Sequence, residues 1–208
     1  MVICFLIHTV CPVSALSAAE SRILYARVFG PETGADDCTP EQRRLMQKEK
    51  LHVVARQVRS AVALSREASG GLCVEAVLGE EAAALGEADS GVFSLGNAEL
   101  FPDRSVVLWL GVQSLAFTLV CRPHENLLLA EGVLRNIARH CFEELRLLGP
   151  GAEVLLKSDR VDALLHRLLP HGQLLFLNHR FALALDKEIA SYVWRNLFFS
   201  EGVIGFKK

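Results

Sequence analysis

The stretch SVVLWLGVQSLAFTLVC, residues 105–121, decides how this chain folds. Ser105–Val112 and Ser114–Cys121 are strongly apolar runs of strand length, and the short Val112-Gln113-Ser114 junction between them predicts a hairpin. Pro123 stops the second run. From there to Leu148 the period changes. Leu127, Ala130, Leu134, Ile137, Cys141, Leu145 and Leu148 recur at helical spacing, with Arg135, Asn136, Arg139, Glu143 and Arg146 largely opposite. Gly149-Pro150-Gly151 terminates this helix.

Upstream of the hairpin, Val2–Ile7 is a short apolar run that reads as a central strand. Arg22–Phe29 reads as its neighbour, stopped by Gly30-Pro31. Thr39-Pro40-Glu41-Gln42 is a helix start: threonine caps, proline suits the first turn and glutamine completes a capping box. Leu51, Val54, Ala55, Val58 and Val62 form its apolar face, and Gly70-Gly71 ends it. Residues 72–91 are rich in Ala, Gly and Glu without a period and read as an acidic, solvated loop. Downstream, Ser158 is a candidate cap for a short helix striped by Val161, Leu164, Leu165 and Leu168, closed by Pro170. Leu174–Leu177 reads as a strand or an extended docking segment, and 181–194 suits a helix. Strands bunched between a middle helix and terminal helices imply an antiparallel or mixed sheet with helices on its faces. The regular strand–helix alternation of a doubly wound nucleotide fold is missing.

Composition narrows the function. The chain has 208 residues, 51% of them hydrophobic, with a mean hydropathy of +0.29. Its 22 basic and 24 acidic residues give a formal charge of -2. That balance disfavours nucleic acid or an anionic membrane as main ligand, since both need a basic surface. The surplus of apolar residues fits either a Leu-rich core or a surface kept for a partner. Met1–Val10 followed by Ala15–Ala19 mimics a signal peptide, but no Lys or Arg precedes the apolar segment, and His8 and Pro12 interrupt it, so a buried first strand is the reading adopted. No run reaches the roughly 18 apolar residues of a membrane span.

Chemistry-bearing patterns are weak. Phosphate-cradling glycine motifs and a G-x-S-x-G nucleophile turn do not occur. His124-Glu125 begins like H-E-x-x-H, but Leu128 stands where the second histidine belongs. Cys4, His8 and Cys11 are close in sequence, yet strand alternation sets Cys11 on the face opposite Cys4 and His8. His140 and Cys141 are adjacent on a helix and do not share a face. The scattered Cys4, Cys11, Cys38, Cys73, Cys121 and Cys141 read as small buried hydrophobes in a reducing compartment, and the histidines as surface imidazoles. Glu80-Glu81 and Glu143-Glu144 read as solvated carboxylates, and the Arg43-Arg44 and Lys48 helix face as a solvated basic face. Catalytic, cofactor and metal sites are therefore all expected to be absent.

A resemblance enters on longer stretches: Trp109-Leu110-Gly111-Val112, Ser114-Leu115, His124 through Gly132, Leu145-Arg146-Leu147-Leu148, Asp159-Arg160 and Leu169 through Asn178. The N-terminal half adds Phe5-Leu6-Ile7-His8-Thr9, Leu24-Tyr25, Val28-Phe29-Gly30, Ala55-Arg56-Gln57-Val58 and Ala68-Ser69-Gly70. Together they resemble the sigma subunits of adaptor protein complex 5 over most of residues 1–190. The resemblance implies an α/β (α+β), longin-like fold: a five-stranded antiparallel sheet flanked by helices on both faces, spanning 1–194, with a tail at 195–208. It implies a non-catalytic small subunit assembled with large zeta and beta subunits and a medium mu subunit. Spatacsin and spastizin are implied as partners through the complex, and late endosomes and lysosomes as its peripheral membrane location. Residues 10–20, 72–91 and 195–208 depart from the pattern. Sigma subunits of better-known adaptor complexes help bind acidic dileucine signals in a hydrophobic pocket. The residues of that pocket do not align onto 105–148, so it is not carried over. Two other classes compete: a longin-type regulatory module binding a small GTPase or a SNARE, and a cysteine-dependent lumenal hydrolase.

Overall fold

A computed structural model describes residues 1–11, 21–30, 39–70, 85–96, 104–143 and 157–176, with Arg180, Leu183, Ala184, Asp186, Lys187, Glu188 and Ser191 beyond them. Five strands, β1 (Val2–Thr9), β2 (Ile23–Val28), β3 (Asp89–Leu95), β4 (Ser105–Val112) and β5 (Leu115–Cys121), make one antiparallel sheet in the order β2-β1-β5-β4-β3. The quoted hairpin lies at its heart. β5 is central, and Gln113 takes a positive φ of 52° in the turn that returns the chain to it. The first strand is interior, paired on both sides, and its residues Cys4–Thr9 are buried.

Helix α1 (Pro40–Ser69) covers one face. The expected capping box is present: Thr39 and Gln42 bond each other's backbone N–H reciprocally, and Gly70 closes the helix at φ 67°. Val54, Ala55, Val58 and Val62 are buried against Cys4, Leu6, Val107, Trp109 and Val120, while Leu51 lies at the margin. Helices α2 (Leu127–Glu143) and α3 (Ser158–Leu168) cover the other face, where Phe5, Ile7, Leu108, Leu110, Phe117 and Leu119 meet Leu134, Ile137, Phe142, Val161 and Leu165. Alternate residues of the same strand thus feed two separate cores, as a period of two requires when both faces are covered.

Several expectations need correction. Asp89, Ser90 and Gly91 do not belong to the loop read over 72–91. They open β3, a fifth strand that the residue pattern alone did not suggest, while 72–84 lie outside the described residues. The central helix starts at Leu127 instead of near Pro123, because the Asn126 side chain caps it by accepting from the Leu129 amide at 3.1 Å. Ser158 is the first helical residue of α3 and makes no side-chain cap; Lys157 holds that position. Leu174–Phe176 is not a strand: Leu174 packs on the core without joining the sheet, and Phe176 is 87% exposed. The described residues from Arg180 to Ser191 are helical, as read for 181–194. Leu145, Arg146, Leu148, Leu177 and the tail 195–208 lie outside the described residues.

Candidate interaction surface

Burial decides what the reactive side chains can do. Cys4, Cys121 and Cys141 are free thiols inside the two cores. Burial, reinforced by the neighbouring Cys121, pushes Cys4 up to about 12. Burial alone drives Cys121 up to about 11, against the opposing pull of the N-terminal amine, and raises Cys141 further still. Thiols held protonated are poor nucleophiles and poor metal ligands. Cys11 differs from the buried-thiol reading in being disulfide-bonded. It also packs on the α1 side with Cys4, not opposite it, because the strand ends at Thr9 and alternation ends with it.

Two histidines read as surface groups are interior. His8 is fully buried on β1. Ser21 spends its hydroxyl proton on the Thr9 carbonyl at 2.7 Å, so it accepts from His8 Nδ1 at 2.9 Å, and Thr118 donates to Nε2 at 3.2 Å. Burial lowers His8 to about 4, partly opposed by the Thr9 carbonyl. His140 is 2% exposed and shares the buried arc of α2 with Cys141, since residues 100° apart both fall within a wide apolar face. Burial and then Arg139 push His140 below its ordinary value, against the pull of Asp186 at 3.0 Å. His124 is exposed whereas Cys121 is buried, and Glu143 is paired with Arg139. Among the described residues no cluster of three or more His, Cys, Asp or Glu is placed to hold a metal. No described helix is long and apolar enough to cross a membrane. Glu80, Glu81 and Glu144 lie outside the described residues.

What the fold leaves open is apolar. Among the described residues, β3 is an edge strand whose outer backbone groups pair with no other strand of the sheet. Between β3, β4 and the first turns of α2 lies a cleft of about 260 Å³, with Leu108, Leu110 and Leu134 in its lining. At its rim Val92 is 57% exposed, Leu127 36% and Leu128 83%. Its polar wall is fixed in place: Arg135 pairs with Glu131 at 3.0 Å and donates to Ser90 Oγ at 3.1 Å. Gly91 makes the adjoining backbone possible, because a Cβ there would stand 2.6 Å from the Trp109 indole. An edge strand beside exposed Val and Leu has the character of surface that a polypeptide partner covers. Sequence reasoning placed Leu127 and Leu134 together in one core stripe and did not find the cleft. Leu128, off that stripe and next to Leu127, was the available signal.

The family model and the curated relatives agree with one another. Residues 1–190 match the family model described as AP-5 complex subunit sigma-1. The AP-5 complex subunit sigma-1 of Homo sapiens is 44% identical over 92% of this chain and 98% of its own length. That of Mus musculus is 42% identical over 72% of this chain and 91% of its own. A chain in a homology model of the full-length AP-3 complex in a stretched open conformation shares 10% identity at a TM-score of 0.47. The match covers 95% of this chain and 98% of that one. At that level the likeness adds nothing to the fold, which rests on the strand pairing itself.

Proposed function

Because this chain belongs to the AP-5 complex subunit sigma-1 family, we propose that it is the non-catalytic small subunit of a heterotetrameric adaptor coat complex. It packs against a large zeta-type subunit, beside a beta-type and a medium mu-type subunit, and stabilises the large chain through apolar surface. The complex serves sorting and retrieval of membrane cargo at late endosomes and lysosomes. Spatacsin- and spastizin-type partners, and the membrane itself, are reached through the complex. The observation that carries this reading is the 44% identity to the human subunit across nearly its whole length. The exposed Val92, Leu127 and Leu128 beside the edge strand β3 supply a surface of the right character, since lasting subunit interfaces are large and hydrophobic.

Co-expression with candidate large subunits followed by size exclusion tests the reading. The expected result is stoichiometric co-elution with the zeta-type chain, weakened by Val92→Asp combined with Leu128→Asp. A wild-type chain that elutes alone, folded and monomeric, overturns it.

A further inference from the structure

We propose that a basic ridge on α1, Arg44–Lys48–His52–Arg56, is a second docking surface whose occupant is an acidic helix face of the large partner subunit. The inference rests on the assembly reading above and adds a charged anchor on the face of the molecule opposite α2. Residues four apart on a helix lie one above another, so these side chains form a single row about 18 Å long. All of them are exposed. Among the described residues, Arg44, Lys48 and Arg56 have no acidic group within ion-pair distance. Arg66 on the same helix, by contrast, is engaged by Asp89 at 3.1 Å.

The helix is also longer than its core needs. No residue of Pro40–Lys50 is buried, so about 16 Å of helix projects beyond its buried contacts. The capping box and Pro40 favour the helical form at the start of this overhang. Leu45, 68% exposed, and Met46, 39% exposed, stand beside the ridge at its N-terminal end. Arg44 and Lys48, cations of like sign four residues apart, repel within the helix, and carboxylates on a facing helix would relieve that repulsion. Glu41 and Glu49 interrupt the positive surface. A diffuse anionic bilayer gains little from such a mixed face, whereas a protein with fixed carboxylates can match it in register.

The test uses the full chain co-expressed with the large subunits. A zero-length carbodiimide is applied, and cross-linked peptides are identified by mass spectrometry. The expected product joins Lys48 to an Asp or Glu of the large subunit. Arg44→Glu/Lys48→Glu/Arg56→Glu should weaken assembly roughly 30-fold or more, as three exposed pairs turn repulsive. Charge reversal should also invert the salt dependence of assembly, because added salt screens the new repulsion. The matching triple glutamine variant should have an intermediate effect, and thermal melts of both should overlay on wild type because the residues are exposed. Vesicles of phosphatidylcholine with about 30% phosphatidylserine provide the competing arm. Assembly unchanged by charge reversal overturns this inference and leaves the assembly reading standing. So does vesicle binding that requires the ridge while assembly ignores it. A wild-type chain that captures no large subunit overturns both.

Discussion

Replacing Gly172 with alanine tests how α3 is fastened to the sheet. Gly172 is buried at the end of the 3₁₀ turn Pro170–Gly172, with φ at +76°. A Cβ there would stand 2.7 Å from the Val2 carbonyl oxygen and 2.7 Å from Phe29 Cβ. Two costs add. The left-handed conformation costs alanine about 1–2 kcal/mol. Forcing a methyl against backbone that cannot rotate away costs about 1–3 kcal/mol more. The expected loss is therefore roughly 2–5 kcal/mol, out of a total folding stability of about 5–15 kcal/mol. Two other glycines separate the contributions. Gly70 has φ +67° with nothing within 4 Å of a Cβ, so alanine there bears only the conformational cost, about 1–2 kcal/mol. Gly132 sits inside α2 with the same open space and ordinary helical φ, so alanine there should stabilise by about 0.5–1 kcal/mol. Urea unfolding of the three full-length variants, followed by circular dichroism, ranks them. At a slope of about 2 kcal/mol per molar, Gly172→Ala should lower the midpoint by roughly 1–2.5 M. A Gly172→Ala loss no larger than that of Gly70→Ala would refute the close-contact argument.

Phe117→Ala should cost about 3–5 kcal/mol, since the ring is fully buried edge-on to Phe142 at 5.3 Å, whereas exposed Leu64→Ala should change the melting temperature hardly at all. Arg66 joins α1 to Asp89 at 3.1 Å and to the Gln113 carbonyl at 2.6 Å, so Arg66→Ala should cost about 1–3 kcal/mol by denaturant titration. Arg66→Lys should recover only part of that, because an ammonium cannot fork to both acceptors. His8 has a folded value near 4, below its unfolded 6.5, so the unfolded chain binds the proton first as pH falls. Its stability contribution is present above pH 6.5 and lost progressively down to pH 4, about 3 kcal/mol in all, with His140 acting in the same direction. Urea midpoints from pH 7 to 4 should therefore fall less steeply for His8→Gln than for wild type, and equal slopes would contradict the assignment.

Local physics alone settled the elements whose signals are continuous and short-ranged. The apolar runs of β1, β4 and β5, the Thr39–Gln42 capping box and the stripes of α1 and α3 were legible because strand length, helical period and capping are properties of neighbouring residues. β3 was not legible, because Asp89-Ser90-Gly91-Val92-Phe93-Ser94-Leu95 contains poor strand formers. What makes it a strand is pairing with β4 and the lodging of Trp109 against Gly91, residues far apart in the chain. His8 and His140 looked like surface groups because their partners, Thr118 and Asp186, are 110 and 46 residues away. The family was readable from sequence, since identity of sequence is what defines it. Which apolar residues remain uncovered was not. Leu128 and Leu134 are the same residue type on the same helix, and only the packing of α2 across the sheet buries one and leaves the other in solvent.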